Sequence, residues 1–130
     1  MVTSVEKMWR NLSDGVDTTV TSSLTTLGDD IEVSELERVS FQLLNTGVLL
    51  DQFSILGNHT KEGTMETLYN TAGDFNSPAG LLVATSGDLT AIAHGSTGWF
   101  MMDCRGLFAI RIRAASSGGD TVVTLNGGGS

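Results

Sequence analysis

Along the last third of the chain, apolar and polar positions alternate with a period of two. Over residues 107–114, Phe108, Ile110 and Ile112 fall on one parity and Ala109, Arg111 and Arg113 on the other. An extended segment with this spacing has one apolar face and one polar face. Thr121-Val122-Val123-Thr124-Leu125 is rich in β-branched residues, which suit a pleated, half-buried surface. Between them, Ala115-Ser116-Ser117-Gly118-Gly119-Asp120 supplies turn formers. With 98–106 ahead of them, these runs read as three short antiparallel strands in a meander.

The same period recurs upstream. Val39, Phe41 and Leu43 alternate with Ser40 and Gln42, Asn45-Thr46-Gly47 turns the chain, and 49–56 returns with Phe53 and Ile55 inward; the pair reads as a hairpin. Residues 18–27 are Thr-rich and edge-like, with Val20 and Leu24 on one parity, and 65–69 form a further short strand. Residues 31–36 fit a strand or a helical turn capped by Ser34 and Glu37. A long loop over 71–80 holds nearly every turn former, and apolar runs follow at 81–84 and within 86–93. Roughly seven or eight short strands, spaced by turns every 8–12 residues, predict an all-β antiparallel sandwich, jelly-roll-like or Ig-like.

Residues 1–14 break the pattern. Val5, Met8, Trp9 and Leu12 recur at helical spacing, Thr3 and Glu6 fit a capping box, and Ser13-Asp14-Gly15 supplies a stop. The expectation is a short amphipathic helix or an extended arm over 1–14, ahead of one sandwich domain over 15–130. So short a helix is marginal alone. It either packs on its own domain or anchors on a neighbouring subunit through Val5, Met8, Trp9 and Leu12.

The 130 residues suffice for one core, and 16 Gly with 17% charged residues suit a turn-rich β protein. A formal net charge of −8 disfavours nucleic-acid binding. Asp29, Asp30, Glu32, Glu35 and Glu37 crowd one span, while Arg111 and Arg113 share the polar face of one strand. Either these charges are solvated faces that keep an exposed sheet soluble, or the arginines are candidate partner-binding residues that meet the acidic span of another copy in a homo-oligomer. Cys104 is the single cysteine, so no internal disulfide forms. There is no secretory leader and no apolar run long enough to cross a membrane, and a cytoplasmic origin is expected.

His59, His94, Asp103 and Cys104 show no metal-ligand spacing and no evident nucleophile–base pairing. No catalytic, cofactor or metal residues are expected, and the chain reads as a non-enzyme. An alternative is a carbohydrate- or receptor-binding module of a tail or fibre, with Trp99, Tyr69, Phe75 and the 71–80 loop as a sugar platform.

At Asp74-Phe75-Asn76-Ser77-Pro78-Ala79-Gly80-Leu81-Leu82-Val83, Ser86-Gly87-Asp88-Leu89-Thr90, Gly95-Ser96-Thr97-Gly98-Trp99-Phe100 and the ending Thr121-Val122-Val123-Thr124-Leu125-Asn126-Gly127-Gly128, the chain resembles small β-sandwich structural proteins of tailed bacteriophage virions. The likeness spans residues 38–130 and rests on turn and strand chemistry. It implies a non-enzymatic virion component present in many copies, a capsid decoration (cement) or head–tail accessory protein made in the host cytoplasm. Its partners would be the major capsid protein or other virion subunits, and it transfers no catalytic residues.

Overall fold

The computed structural model describes residues 9–70, 82–86 and 92–130. Ten strands form two antiparallel sheets: β1 (Arg10–Val20), β2 (Thr25–Thr26), β3 (Ile31–Glu32), β4 (Arg38–Asn45), β5 (Gln52–Asn58), β6 (Glu66–Asn70), β7 (Leu82–Ser86), β8 (Thr97–Asp103), β9 (Ala109–Ala115) and β10 (Thr121–Gly129). Sheet A runs β1-β10-β4-β8-β7 and sheet B runs β2-β9-β5-β6, with β3 also paired to β9. The sheets face each other as a sandwich, and no helix occurs among the described residues.

The period-two pattern places the core. Val39, Phe41 and Leu43 of β4 and Phe100 and Met102 of β8 point in from sheet A. They meet Phe53 and Ile55 of β5 and Ile110 and Ile112 of β9 from sheet B. Three phenylalanines join the layers: Phe100 stacks on Phe41 at 5.6 Å between ring centroids and tilts against Phe53 at 5.5 Å. Aromatic pairs at this spacing add to the burial energy.

Pairing departs from the expectation in two places. The 98–125 stretch is not a meander, because β8 and β10 lie in sheet A on either side of β4, and β9 lies in sheet B. Likewise β4 and β5 are not a hairpin; the chain crosses from one sheet to the other between them. Each of these strands has one apolar face, and two such faces are buried equally well across a sandwich as side by side. Alternation specifies which face goes inward but leaves the neighbour open.

Residues 10–14 are extended, which corrects the helical reading for that part of 1–14. Arg10, Asn11 and Ser13 pair with Gly129, Gly128 and Gly127 of β10, with register shifts between Asn11 and Ser13 and between Ser13 and Val16, and β1 continues to Val20. The glycine-rich end of β10 is what admits this pairing. A Cβ on Gly128 would collide with the Arg10 carbonyl oxygen and lie 2.6 Å from Trp9 Nε1, and one on Gly127 would enter the Phe41 ring. Residues 31–36 give the two-residue β3 followed by a turn closed by Leu36 N–H to Val33 C=O at 3.0 Å, with Glu35 at φ 74°. No capped helical turn forms there. Val5, Met8, the 71–80 loop with its Phe75, and most of the 86–93 run lie outside the described residues.

Candidate functional site

The turns gather at two ends of the sandwich, and the ends differ in chemistry. At one end lie the loops 21–24, 46–51, 93–96 and 116–120; at the other lie 33–37, 59–65 and 104–108. The second end is charged: Glu35, Glu37, Arg38, Lys61, Glu62 and Arg105 are exposed there. Asp103 of β8 accepts from the Arg105 guanidinium, which holds its carboxyl down at about 2. At the first end, Leu24 (36% exposed), Val48 (41%) and Leu49 (47%) stand exposed, with Val122 (38%) one residue into β10, and the polar side chains of His94 and Asp120 are exposed beside them.

This apolar end is braced from beneath by a buried asparagine. Asn45, at the end of β4 and fully buried, donates from Nδ2 to the carbonyls of Val48 and Ile92, both at 2.7 Å. Its Oδ1 accepts from Thr121 Oγ1–H at 2.5 Å and Gly47 N–H at 3.3 Å. Its backbone N–H donates to Ser96 O, and its carbonyl accepts from Gly95 N–H. One side chain therefore ties the 46–50 loop, the start of β10 and the segment before β8 together, and leaves no buried amide atom unpaired.

Neighbouring bonds complete the brace. Ser116 Oγ–H donates to Leu49 C=O at 2.6 Å, and Ser117 N–H donates to Asp51 Oδ1 at 3.0 Å. Ser117 Oγ–H also bonds Asp51 Oδ2, and these contacts hold the Asp51 carboxyl below its ordinary range. His94 Nδ1 lies 3.0 Å from Gly47 O. Val48 and Leu49 thus stand in water on a loop whose backbone is pinned on both sides.

Among the described residues, those expected to bind a partner stand on different faces. Trp9 lies on the outer side of sheet A over Gly128, 56% exposed. Leu12 is half-buried against the core. Arg111 and Arg113 are on the outer side of sheet B. The acidic and basic segments meet within one chain: Arg111 Nε and Nη2 donate to Asp30 Oδ1 and Oδ2 at 2.7 and 2.9 Å. That fork lowers the Asp30 pKa and raises that of Arg111. Arg113 Nε donates to buried Ser54 at 3.1 Å. Arg111 thus has a partner from the acidic span of its own chain. Strand β3 pairs with β9, which brings Asp30, the residue just before β3, within reach of Arg111.

The sugar platform expected around Trp99 and Tyr69 is also divided. Tyr69 is on sheet B, its ring 5.8 Å from Phe53 at the core edge, while Trp99 is on sheet A. Cys104 is fully buried, its Sγ 3.5 Å from Leu36 O, and desolvation pushes its thiol up to about 11. A thiol in that state is a weak nucleophile at neutral pH. A cleft of about 360 Å³ opens between β1 and β3, lined by Leu12, Val16, Ile31, Asp29 and Glu32 among others. Among the described residues, no three His, Cys, Asp or Glu side chains gather to hold a metal.

Sequence reading missed Val48 and Leu49 as surface residues, because their place after a turn and before Phe53 and Ile55 reads as the start of a buried strand. Strand β5 starts only at Gln52. The available signal was Asp51, a charged residue that interrupts the apolar run before the strand.

No protein-family model and no curated protein matches the chain. Among solved structures, the crystal structure of SPBc2 prophage-derived protein YomS is similar, with a TM-score of 0.49, 14% sequence identity, and coverage of 85% of this chain and 92% of that one.

Proposed function

We propose that the chain is a non-enzymatic structural protein of tailed bacteriophage particles, a capsid decoration or head–tail accessory subunit. It would pack in many copies on the major capsid protein or another virion subunit. The observation that carries this reading is the polarity of the sandwich: apolar side chains on a braced loop at one end, charges at the other. Apolar groups held in place before binding lose little conformational entropy on docking, so the area they bury contributes more of its value to affinity. The motif resemblance supplies the kind of particle. The mechanism is mass action: subunits that bind the assembled shell better than free capsid subunits shift the equilibrium toward the closed particle, and many copies multiply the effect.

The test begins with purified particles of the phage that encodes the chain. The protein is expected in them in many copies by quantitative mass spectrometry. A chain carrying both Val48→Asp and Leu49→Asp is expected to fold normally, since both side chains face water, yet to be missing from particles. Finding the unaltered protein only in the soluble lysate, or the double variant incorporated at the normal level, would refute the reading.

A further inference from the structure

We propose that the outer face of sheet A is a binding site for a neutral glycan. The register of the sheet sets the face out in rows. Gly128, Ser40 and Met101 lie side by side across β10, β4 and β8; Asn126, Gln42 and Trp99 form the next row; Thr124, Leu44 and Thr97 the one after. Phe41, Leu43 and Phe100, on the opposite parity, are buried in the core, so these rows point away from it. Trp99 is half-buried in this face, and Trp9 is laid across its Gly128 corner. Both tryptophans of the chain therefore stand on one sheet face, two strand spacings apart, about 10 Å.

The polar groups between them are the kind that recognise hydroxyls. Gln42 is exposed, with no partner among the described residues. Asn126 Oδ1 accepts from Gly15 N–H at 2.7 Å, which orients the amide and leaves its Nδ2 hydrogens to donate outward. Ser40 and Thr97 add hydroxyls that both donate and accept. An indole offers a flat apolar ring to the C–H face of a pyranose, while the amides meet its hydroxyl edge, as suits a side chain that is wet at one end and apolar at the other.

Charge decides the class of glycan and separates it from a protein partner. The described charges on this face are Arg38 and Asp103 at its charged end and Asp17 at its edge, and Asp17 already accepts from Thr124 Oγ1–H at 2.6 Å. On β10, β4 and β8 the three rows carry none, and Asp17, paired with Thr124, flanks the third. A molecule of net charge −8 repels uronates, sialic acids and phosphates, so the matching occupant is uncharged. A protein hot spot is a desolvated pocket, whereas this face sets exposed Gln42 and the Asn126 amide between the two indoles, with hydroxyls of Ser40 and Thr97 in the flanking rows. The site is separate from the Val48–Leu49 end and does not depend on the particle reading.

The test uses the full chain on a glycan array, followed by calorimetric titration with maltohexaose and chitohexaose as neutral probes and hexagalacturonate as the anionic one. Saturable binding to a neutral oligosaccharide is expected, with quenching of tryptophan fluorescence and at least tenfold weaker binding of hexagalacturonate. Trp99→Ala is expected to lower affinity at least tenfold. Gln42→Lys, an exposed change that spares the fold, is expected to lower it at least threefold, and the Val48→Asp, Leu49→Asp chain to bind as the unaltered protein does. Absence of saturable binding to every neutral glycan, equal binding of the anionic probe, or full affinity in Gln42→Lys would each overturn the proposal.

Discussion

At the residue scale, a few small or polar side chains decide what the large ones can do. Asn45 uses both amide ends in the interior, so Asn45→Ala would take the partner from the Thr121 hydroxyl and the Val48 carbonyl at once, while the Ile92 carbonyl keeps the Leu50 N–H. Unpaired buried groups cost on the order of 1–3 kcal/mol each, and the expected loss is about 3 kcal/mol by denaturant melt. Gly128→Ala would drive a methyl into the Trp9 indole and the Arg10 carbonyl. A cost of about 1–3 kcal/mol, with a change in Trp9 fluorescence, is the expected signature. Cys104 should be silent to thiol reagents at pH 8 in the native state, because it is buried and its thiol sits at about 11. It should react fully once the chain is unfolded, and rapid labelling of folded protein would contradict the buried placement.

At the scale of elements, the Asp30–Arg111 fork joins the 27–30 loop to β9. The Asp30 pKa is lowered in the folded chain, so this contribution to stability is fully present above the ordinary carboxylate value near 3.8. It fades as pH falls through the folded value. Both side chains are over a third exposed, at 35% and 41%, so screening limits the pair to at most about 1 kcal/mol. Asp30→Asn should therefore lose little at pH 7 and show a flatter stability profile as pH falls below the ordinary carboxylate value near 3.8, measured by urea melts across that range. A profile identical to that of the unaltered chain would show the pair contributes nothing. The strand faces of β4 and most of β9 were legible in the alternation, because burial of one face is a local demand on side-chain type, although Ala109, on the polar parity, is buried. Phe108 departs from it: its N–H is taken by Asn58 O and its own carbonyl by Val33 and Ser34, which leaves the ring half-exposed ahead of β9. The three terminal glycines, unreadable as strand by propensity, extend β10 to Gly129 because β1 and β4 approach too closely for any side chain.

At the scale of the molecule, the interior joins both sheets through the three phenylalanines, and the loop network closes one end over them. Phe100, in contact with both other rings, is the joint between layers. Phe100→Ala should cost about 3–5 kcal/mol and loosen both sheets together, read as a single transition at lower temperature. Three regions of the surface differ in chemistry: an apolar end, a charged end, and the outer face of sheet A, whose central strands carry no charge between those ends. None of these is contiguous in the chain. Trp9 and Trp99 stand 90 positions apart, and Val48 and Val122 meet near one loop end only through Asn45 and Thr46.

The chain's own pattern of residues determined its class and its inward faces: an all-β sandwich, the acidic balance, and which side chains fill the core. Those properties follow from local periodicity and composition, which act within a few residues. Tertiary structure alone decided that β8, β9 and β10 divide between two sheets, that Arg10–Asp14 is strand, that Arg111 is answered by Asp30, and that both tryptophans share one face. Each of these depends on which strands become neighbours, and that choice is made by the collective fit of apolar faces and close-approaching glycines, which no local pattern encodes.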